Sequence, residues 1–194
     1  MKQALITQII IGILLCTSVS NAQNLANDNA VKRADIGISV QLYPAGVIPT
    51  INLERYISEN SSLLFRLGGN FTDRQDFSDE NDHEEGSGFG GSFGYRRHFP
   101  LAKGKIVAGM HLDAWNLWID WEDSNASPIS GTTYTLVLQP WLETGYFFPI
   151  KNSSSQIGIT VGFGREINAI TNGEEVAQDW IASLSLQYQF SLNR

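Results

Sequence analysis

From position 180 to 190 every second residue is apolar: Trp180, Ala182, Leu184, Leu186, Tyr188 and Phe190. Between them stand Ile181, Ser183, Ser185, Gln187 and Gln189, small or polar in all but the first case. Successive side chains of a β-strand point to opposite faces, so this period of two makes a strand with one oily wall and one wet wall.

The other end of the chain reads as an export signal. Lys2 precedes an apolar run over residues 4–16, broken by Thr7 and Gln8, and small or polar residues then lead to Ser20-Asn21-Ala22. That three-part plan predicts a signal peptide over residues 1–22, cleaved after Ala22. The run is well short of the roughly 20 residues a membrane helix needs. Leu15 stands before Cys16 where lipoprotein signals carry a small residue, which argues against lipidation. The chain left after cleavage, about 170 residues, fits one domain and holds no cysteine, so no disulfide can staple it. The net charge of −7 becomes more negative once Lys2 is removed, which argues against nucleic acid as a partner. Residues 23–34 have the polar composition of a periplasmic lead-in, and the domain itself is expected over 35–194.

Within that domain alternation recurs and no sustained helical pattern appears. Eight strands are predicted, over residues 35–43, 48–56, 62–71, 88–99, 105–121, 132–148, 155–166 and 178–190. A strand crossing a membrane at a 45° tilt needs about 9–11 residues, and these segments meet that length. The connections 57–61, 100–104 and 149–154 are short and turn-like. Those at 72–87, 122–131 and 167–177 are longer and mostly polar or acidic, and the first, 44–47, is short. With both termini on the periplasmic side, the three longer connections all fall outside, as membrane barrels arrange them.

Faces can be assigned strand by strand. Ile36, Ile38, Val40 and Leu42 oppose Gly37, Ser39 and Gln41. Phe89, Phe93, Tyr95 and Phe99 oppose Gly90, Ser92, Gly94, Arg96 and His98, and Ile157, Ile159, Val161 and Phe163 oppose Gly158, Thr160, Gly162 and Gly164. The fifth strand is ambiguous beyond Ala114, where Trp115, Leu117, Ile119 and Trp121 could turn to lipid after a bulge. The polar wall is rich in Gly, Ser, Thr and Gln, which suits a narrow lumen better than a watered surface. Aromatic residues fall near strand ends, with Phe71, Trp118, Trp121, Tyr134 and Trp180 toward the outside. Tyr56, Phe99, Phe148, Tyr188 and Phe190 fall toward the inside, as two interfacial girdles.

This pattern resembles the small eight-stranded outer-membrane proteins of the OmpX, OmpW and opacity-protein type. Residues 184–190, Leu-Ser-Leu-Gln-Tyr-Gln-Phe, are similar to the aromatic-ended assembly signal of such proteins, although Ser191-Leu192-Asn193-Arg194 follow here. The resemblance implies an all-β fold, an eight-stranded antiparallel up-and-down transmembrane β-barrel in a Gram-negative outer membrane. Its implied partners are outer-membrane lipid, lipopolysaccharide and the outer-membrane assembly machinery, and its implied state is a monomer. The expected role is non-enzymatic, structural or surface-interactive. The alternatives are a channel or binder for a small hydrophobic molecule and a lipid-modifying barrel enzyme.

The predicted lumen set is Glu54, Arg66, Arg96, His98, His111, Asp113, Glu143 and Glu166. Charges forced into a narrow interior must pair, so a salt-bridged plug is expected. An acyl-transfer enzyme needs a nucleophile, a base and an orienting acid in reach. Ser92 and His98 share a face but stand six residues apart, roughly 20 Å along a strand. His111 and Asp113 are same-face neighbours with no evident nucleophile. The acidic stretch 73–85 does not fit the spacing of an EF-hand. No catalytic, cofactor-binding or metal-binding residue is assigned, and no cofactor is expected. The reading predicts that the protein partitions with membranes, and that the folded form runs faster than the boiled form on a denaturing gel. Recovery in the soluble fraction with no heat-dependent shift would contradict it.

Overall fold

The computed structural model describes residues 33–75, 81–123 and 129–192. The expected signal peptide and residues 23–32 lie outside the described residues. Nine strand segments follow one another: β1 (Ala34–Tyr43), β2 (Gly46–Ser58), β3 (Ser61–Gln75), β4 (His83–Leu101), β5 (Gly104–Asp123), β6 (Ile129–Pro149), β7 (Ser155–Arg165), β8 (Ile167–Asn172) and β9 (Trp180–Ser191). All pair antiparallel: β1 to β6 each with the next in the chain, β8 with β6, β7 with β9, and β1 with β9 from Asp35↔Ser191 to Leu42↔Leu184. The sheet therefore closes on itself as an up-and-down barrel.

The ninth segment is not a ninth barrel strand. β7 and β8 both pair with β6, and Glu166 lies in the break between them. The β6–β7 ladder stops at Trp141↔Gly164 and resumes with β8 at Leu138↔Ile167. Pro140 sits opposite the break and has no N–H to offer the ladder. The eight-stranded expectation thus holds, with its seventh strand cut in two.

Burial is inverted relative to a water-soluble protein. Leu67 is 71% exposed, Leu142 64% and Ile51 63%, whereas Glu54, Asp113 and Gln139 are fully buried. The apolar wall of the last strand faces out: Trp180, Leu184, Leu186, Tyr188 and Phe190 are all exposed, and Ile181 joins Ser185, Gln187 and Gln189 inside. The faces assigned to the first, fourth and seventh strands agree. Two members of the expected girdles do not: Tyr56 and Trp121 turn inward and are buried.

The ambiguity of the fifth strand beyond Ala114 resolves without a bulge. β5 keeps an unbroken register with both β4 and β6, so the phase set by His111 and Asp113 carries Trp115, Leu117, Ile119 and Trp121 into the lumen. Trp118 is the tryptophan of this strand that faces outward. With Tyr43, Ala45, Ile48, Val137 and Val176, the four inward residues form an apolar core. The lumen is therefore not polar throughout.

Bulky interior side chains are accommodated by glycine on the neighbouring strand. Trp115 lies opposite Gly90, Trp121 opposite Gly131, Trp141 opposite Gly164 and Phe147 opposite Gly158. A Cβ on Gly90 would come within 2.8 Å of the Trp115 ring, and one on Gly164 within 2.7 Å of Trp141. Small-against-large pairing of this kind fills a narrow barrel without distorting its wall.

The segments expected as long outer loops contribute to the strands. β4, β5 and β6 have 19, 20 and 21 residues, against 10 for β1 and 12 for β9. One side of the barrel thus rises well beyond the other at the end away from the termini. Leu67 lies midway along the outward face of β3. The substitution Leu67→Arg is expected to cost about 2–4 kcal/mol in a urea titration of the vesicle-inserted protein, as for a cation at the bilayer midplane. No loss of stability would show that this wall does not face lipid.

Candidate functional site in the barrel lumen

All eight predicted lumen residues are buried. Register decides which of them meet. Toward the end carrying the termini, Arg96 on β4 is the hub. It donates to Glu143 through Nε (2.5 Å) and Nη2 (3.1 Å), to Glu54 through Nη1 (3.2 Å) and to Gln187 through Nη2 (3.1 Å). One side chain thus ties β4 to β2, β6 and β9 across the lumen. Glu54 also accepts from Ser62 Oγ at 2.5 Å and Gln189 Nε2 at 2.7 Å, and lies 3.0 Å from His98 Nε2. Lys105 donates to Tyr56 Oη at 2.6 Å and supplies a second positive charge near Glu54. Below it Asp35 accepts from Arg33, Tyr56 and Gln156 and closes that mouth.

Midway along the lumen Arg66 donates to Ser92 Oγ (3.0 Å), Gln41 Oε1 (2.9 Å) and Asp113 Oδ1 (2.8 Å). Ser92 also donates to Asp113, its cross-strand neighbour. His111 Nε2 lies 3.6 Å from Asp113, and its ring stacks on Trp141 with centroids 6.0 Å apart.

Above this level comes the apolar core, and above that a third ionic cluster. Arg74 on β3 reaches Glu166 at 2.7 Å and Glu84 at 3.6 Å, and donates to the Ala177 carbonyl at 2.9 Å. Glu84 in turn accepts from the Ala177 N–H at 3.1 Å, Thr133 donates to the Glu174 carbonyl at 3.0 Å, and Asn168 to that of Val176 at 2.8 Å. These bonds draw residues 173–179 into the outer mouth as a strap, with Val176 and Ala177 buried. Glu166, freed from the ladder by the break, points inward to join them.

The serine that sequence reasoning missed is Ser62. Its Oγ lies 2.8 Å from His98 Nε2, because Ser62 pairs with Arg96 across β3–β4 and so sits beside the next inward residue of β4. With Glu54 this brings a hydroxyl, an imidazole and a carboxylate together. The arrangement differs from an acyl-transfer relay, in which base and acid use opposite imidazole nitrogens. Here Ser62 and Glu54 share Nε2, and the serine hydroxyl points at the carboxylate. The Ser62 side chain is fully buried. Ser92, separated from His98 as expected, belongs to the Arg66–Asp113 cluster. Of the acidic stretch, Asp76, Asp79 and Glu80 lie outside the described residues. Glu84 is committed to the strap and His83 Nε2 lies 3.2 Å from Asp73. Among the described residues no group of three or more His, Cys, Asp or Glu side chains is placed to hold a metal ion.

No family model matches the sequence, and no curated protein matches it. Among solved structures, neisserial surface protein A is similar with a TM-score of 0.49 at 11% identity, over 81% of this chain and 94% of that one. The N-terminal β-barrel domain of Pseudomonas aeruginosa OprF is similar with a TM-score of 0.42 at 11% identity, over 82% and 98%. The outer-membrane enzyme PagL is similar with a TM-score of 0.40 at 15% identity, over 80% and 98%. These three solved structures are outer-membrane barrels.

Removing one partner of a buried ion cluster strands the others without water. Arg96→Met is expected to cost about 3–5 kcal/mol in urea unfolding, because Glu54 and Glu143 lose their shared counter-charge. Adding Glu54→Gln and Glu143→Gln to it should restore most of that loss. If the triple variant is no more stable than Arg96→Met, the three groups do not act as one charge cluster.

Proposed function

We propose that the chain is a non-enzymatic barrel of a Gram-negative outer membrane, exported by a cleaved signal, that works through its ends and its wall. Its role on this reading is to support the envelope or to present its outer edge to a surface or ligand. The inverted burial supports the membrane placement: an apolar exterior around a charged interior is stable only where lipid covers the outside. Lipid, lipopolysaccharide and the assembly machinery are the partners this placement implies, and a monomer suffices because the closed sheet leaves no edge to pair.

The observation that carries the role is the seal across the outer half of the lumen. Ile48, Trp115, Leu117, Ile119 and Val137 are almost completely buried, and the strap carrying Val176 closes over them. An apolar layer packed between ionic clusters, with only uncharged polar groups such as Asn70, Thr72 and Gln139 beside it, is a barrier to a permeating ion. The shared imidazole nitrogen and the buried hydroxyl of Ser62 likewise favour a structural reading of Ser62, His98 and Glu54. A second reading, a binder of a small hydrophobic molecule, draws on the same apolar layer. Against it, the layer is already filled by its own side chains, and a guest would have to displace Val176.

Planar-bilayer recording tests the seal. The inserted wild-type protein is expected to show no conductance above bare lipid, whereas the double variant Trp115→Ala, Leu117→Ser should open steady channels. Sustained single-channel steps from the wild type would overturn the reading.

A further inference from the structure

Charges on the outside of the barrel are unevenly divided between its two ends. At the end carrying the termini, Arg55 and Arg97 point outward from β2 and β4, and Lys103 and Lys151 stand in exposed turns, against the exposed carboxylate of Glu59 in the turn after β2. The opposite end exposes Asp73, Glu85, Asp120, Glu122, Glu174 and Asp179. On the proposed orientation the basic rim lies at the periplasmic surface.

The two arginines share one patch. Arg55 lies opposite Leu63 on β3, and Leu63 opposite Tyr95 on β4. Arg97 stands one same-face step nearer the rim, opposite Ser61. Strand spacing and rise place their Cα atoms about 12 Å apart, so two extended guanidinium groups can reach one ligand between them. Arg97 Nη1 donates to Ser61 Oγ at 3.0 Å, and Ser61 Oγ lies 2.9 Å from Tyr95 Oη. Rimward of the arginines the wall turns apolar again at Ile57, 55% exposed, and Phe99, 48% exposed. Cations in such a wall need a counter-charge at the depth of the lipid headgroups. Among the described residues no carboxylate forms an ion pair with either.

We infer that Arg55 and Arg97, with Ser61 and Tyr95 between them, form a site on the barrel wall for the phosphate of an anionic glycerophospholipid in the periplasm-facing leaflet. The guanidinium fork matches phosphate oxygens geometrically, and the apolar residues on either side accept the acyl chains. The inference rests on the outer-membrane reading of the chain and adds a ligand class and a location to it.

The test is native mass spectrometry of the purified full chain in micelles doped with phosphatidylglycerol or with diacylglycerol of the same acyl chains. The wild type should retain phosphatidylglycerol well above diacylglycerol. R55Q and R97Q should each lower that preference by about fivefold, the gain expected per basic residue near an anionic surface. R165Q, which removes an outward arginine stacked on Trp180 at the opposite end, should leave it unchanged. Equal retention of both lipids by the wild type, or an undiminished preference in both R55Q and R97Q, overturns the site. Heat-modifiable migration of each variant verifies its fold. A protein that never inserts into vesicles would sink the membrane reading itself, whereas an inserted protein indifferent to lipid phosphate would sink this site alone.

Discussion

Pairs such as Ile36↔Phe190 and Leu42↔Leu184 remove the last free edge of the sheet. A peptide group in hydrocarbon has no water to bond, and each one left unpaired costs several kcal/mol. No cysteine follows Cys16, so a disulfide contributes nothing to holding the ends together. The closed ladder carries that burden, and its closure sets everything inside it. Eight strands leave an interior just wide enough for side chains, so volume and charge must balance within a space fixed by the wall.

Volume is balanced by the glycine partners of the large residues. Trp115, Trp121, Trp141 and Phe147 each project across a neighbouring glycine, so the chain's glycines mark where the lumen is fullest. Charge is balanced by level. Arg96 meets Glu54 and Glu143, Arg66 meets Asp113, and Arg74 meets Glu84 and Glu166. The apolar layer separates the last of these clusters from the first two. Each carboxylate has a basic neighbour at its own level, which a low-dielectric interior demands.

Much of this was legible in the residues. Alternation assigned the outward faces of β1, β4, β7 and β9 correctly, and it selected eight buried titratable residues but not Asp35, Arg74 and Glu84, the last two lying in what was read as a loop. What alternation does not carry is which medium lies on a face. The outer half of β5 could be read either way because Trp115, Leu117, Ile119 and Trp121 are apolar, and an unbroken register from Asp113 keeps them inside. Apolar side chains suit either a lipid-facing wall or a filled lumen, so apolarity alone left the strand ambiguous. Cross-strand partners were hidden for a different reason. Ser62 and His98 are 36 residues apart in the chain, and only the β3–β4 register brings them together. The break at Glu166 carried one readable mark, Pro140 in the facing strand, whose missing N–H interrupts a ladder wherever it falls.

Unequal strand length gives the molecule a direction within the plane of the membrane. A tilted strand of 10 residues, as in β1, covers roughly 23 Å of height, and one of 21, as in β6, roughly 50 Å. The rim is therefore a slope, low over β9, β1 and β2 and high over β4, β5 and β6. Neighbours diffusing in the bilayer meet lipid-facing wall on every side. A body approaching above the headgroups meets a raised acidic blade from one quarter and little but the strap from the other. Rotation about the barrel axis, immaterial for an even cylinder, thus decides what this protein shows to its surroundings.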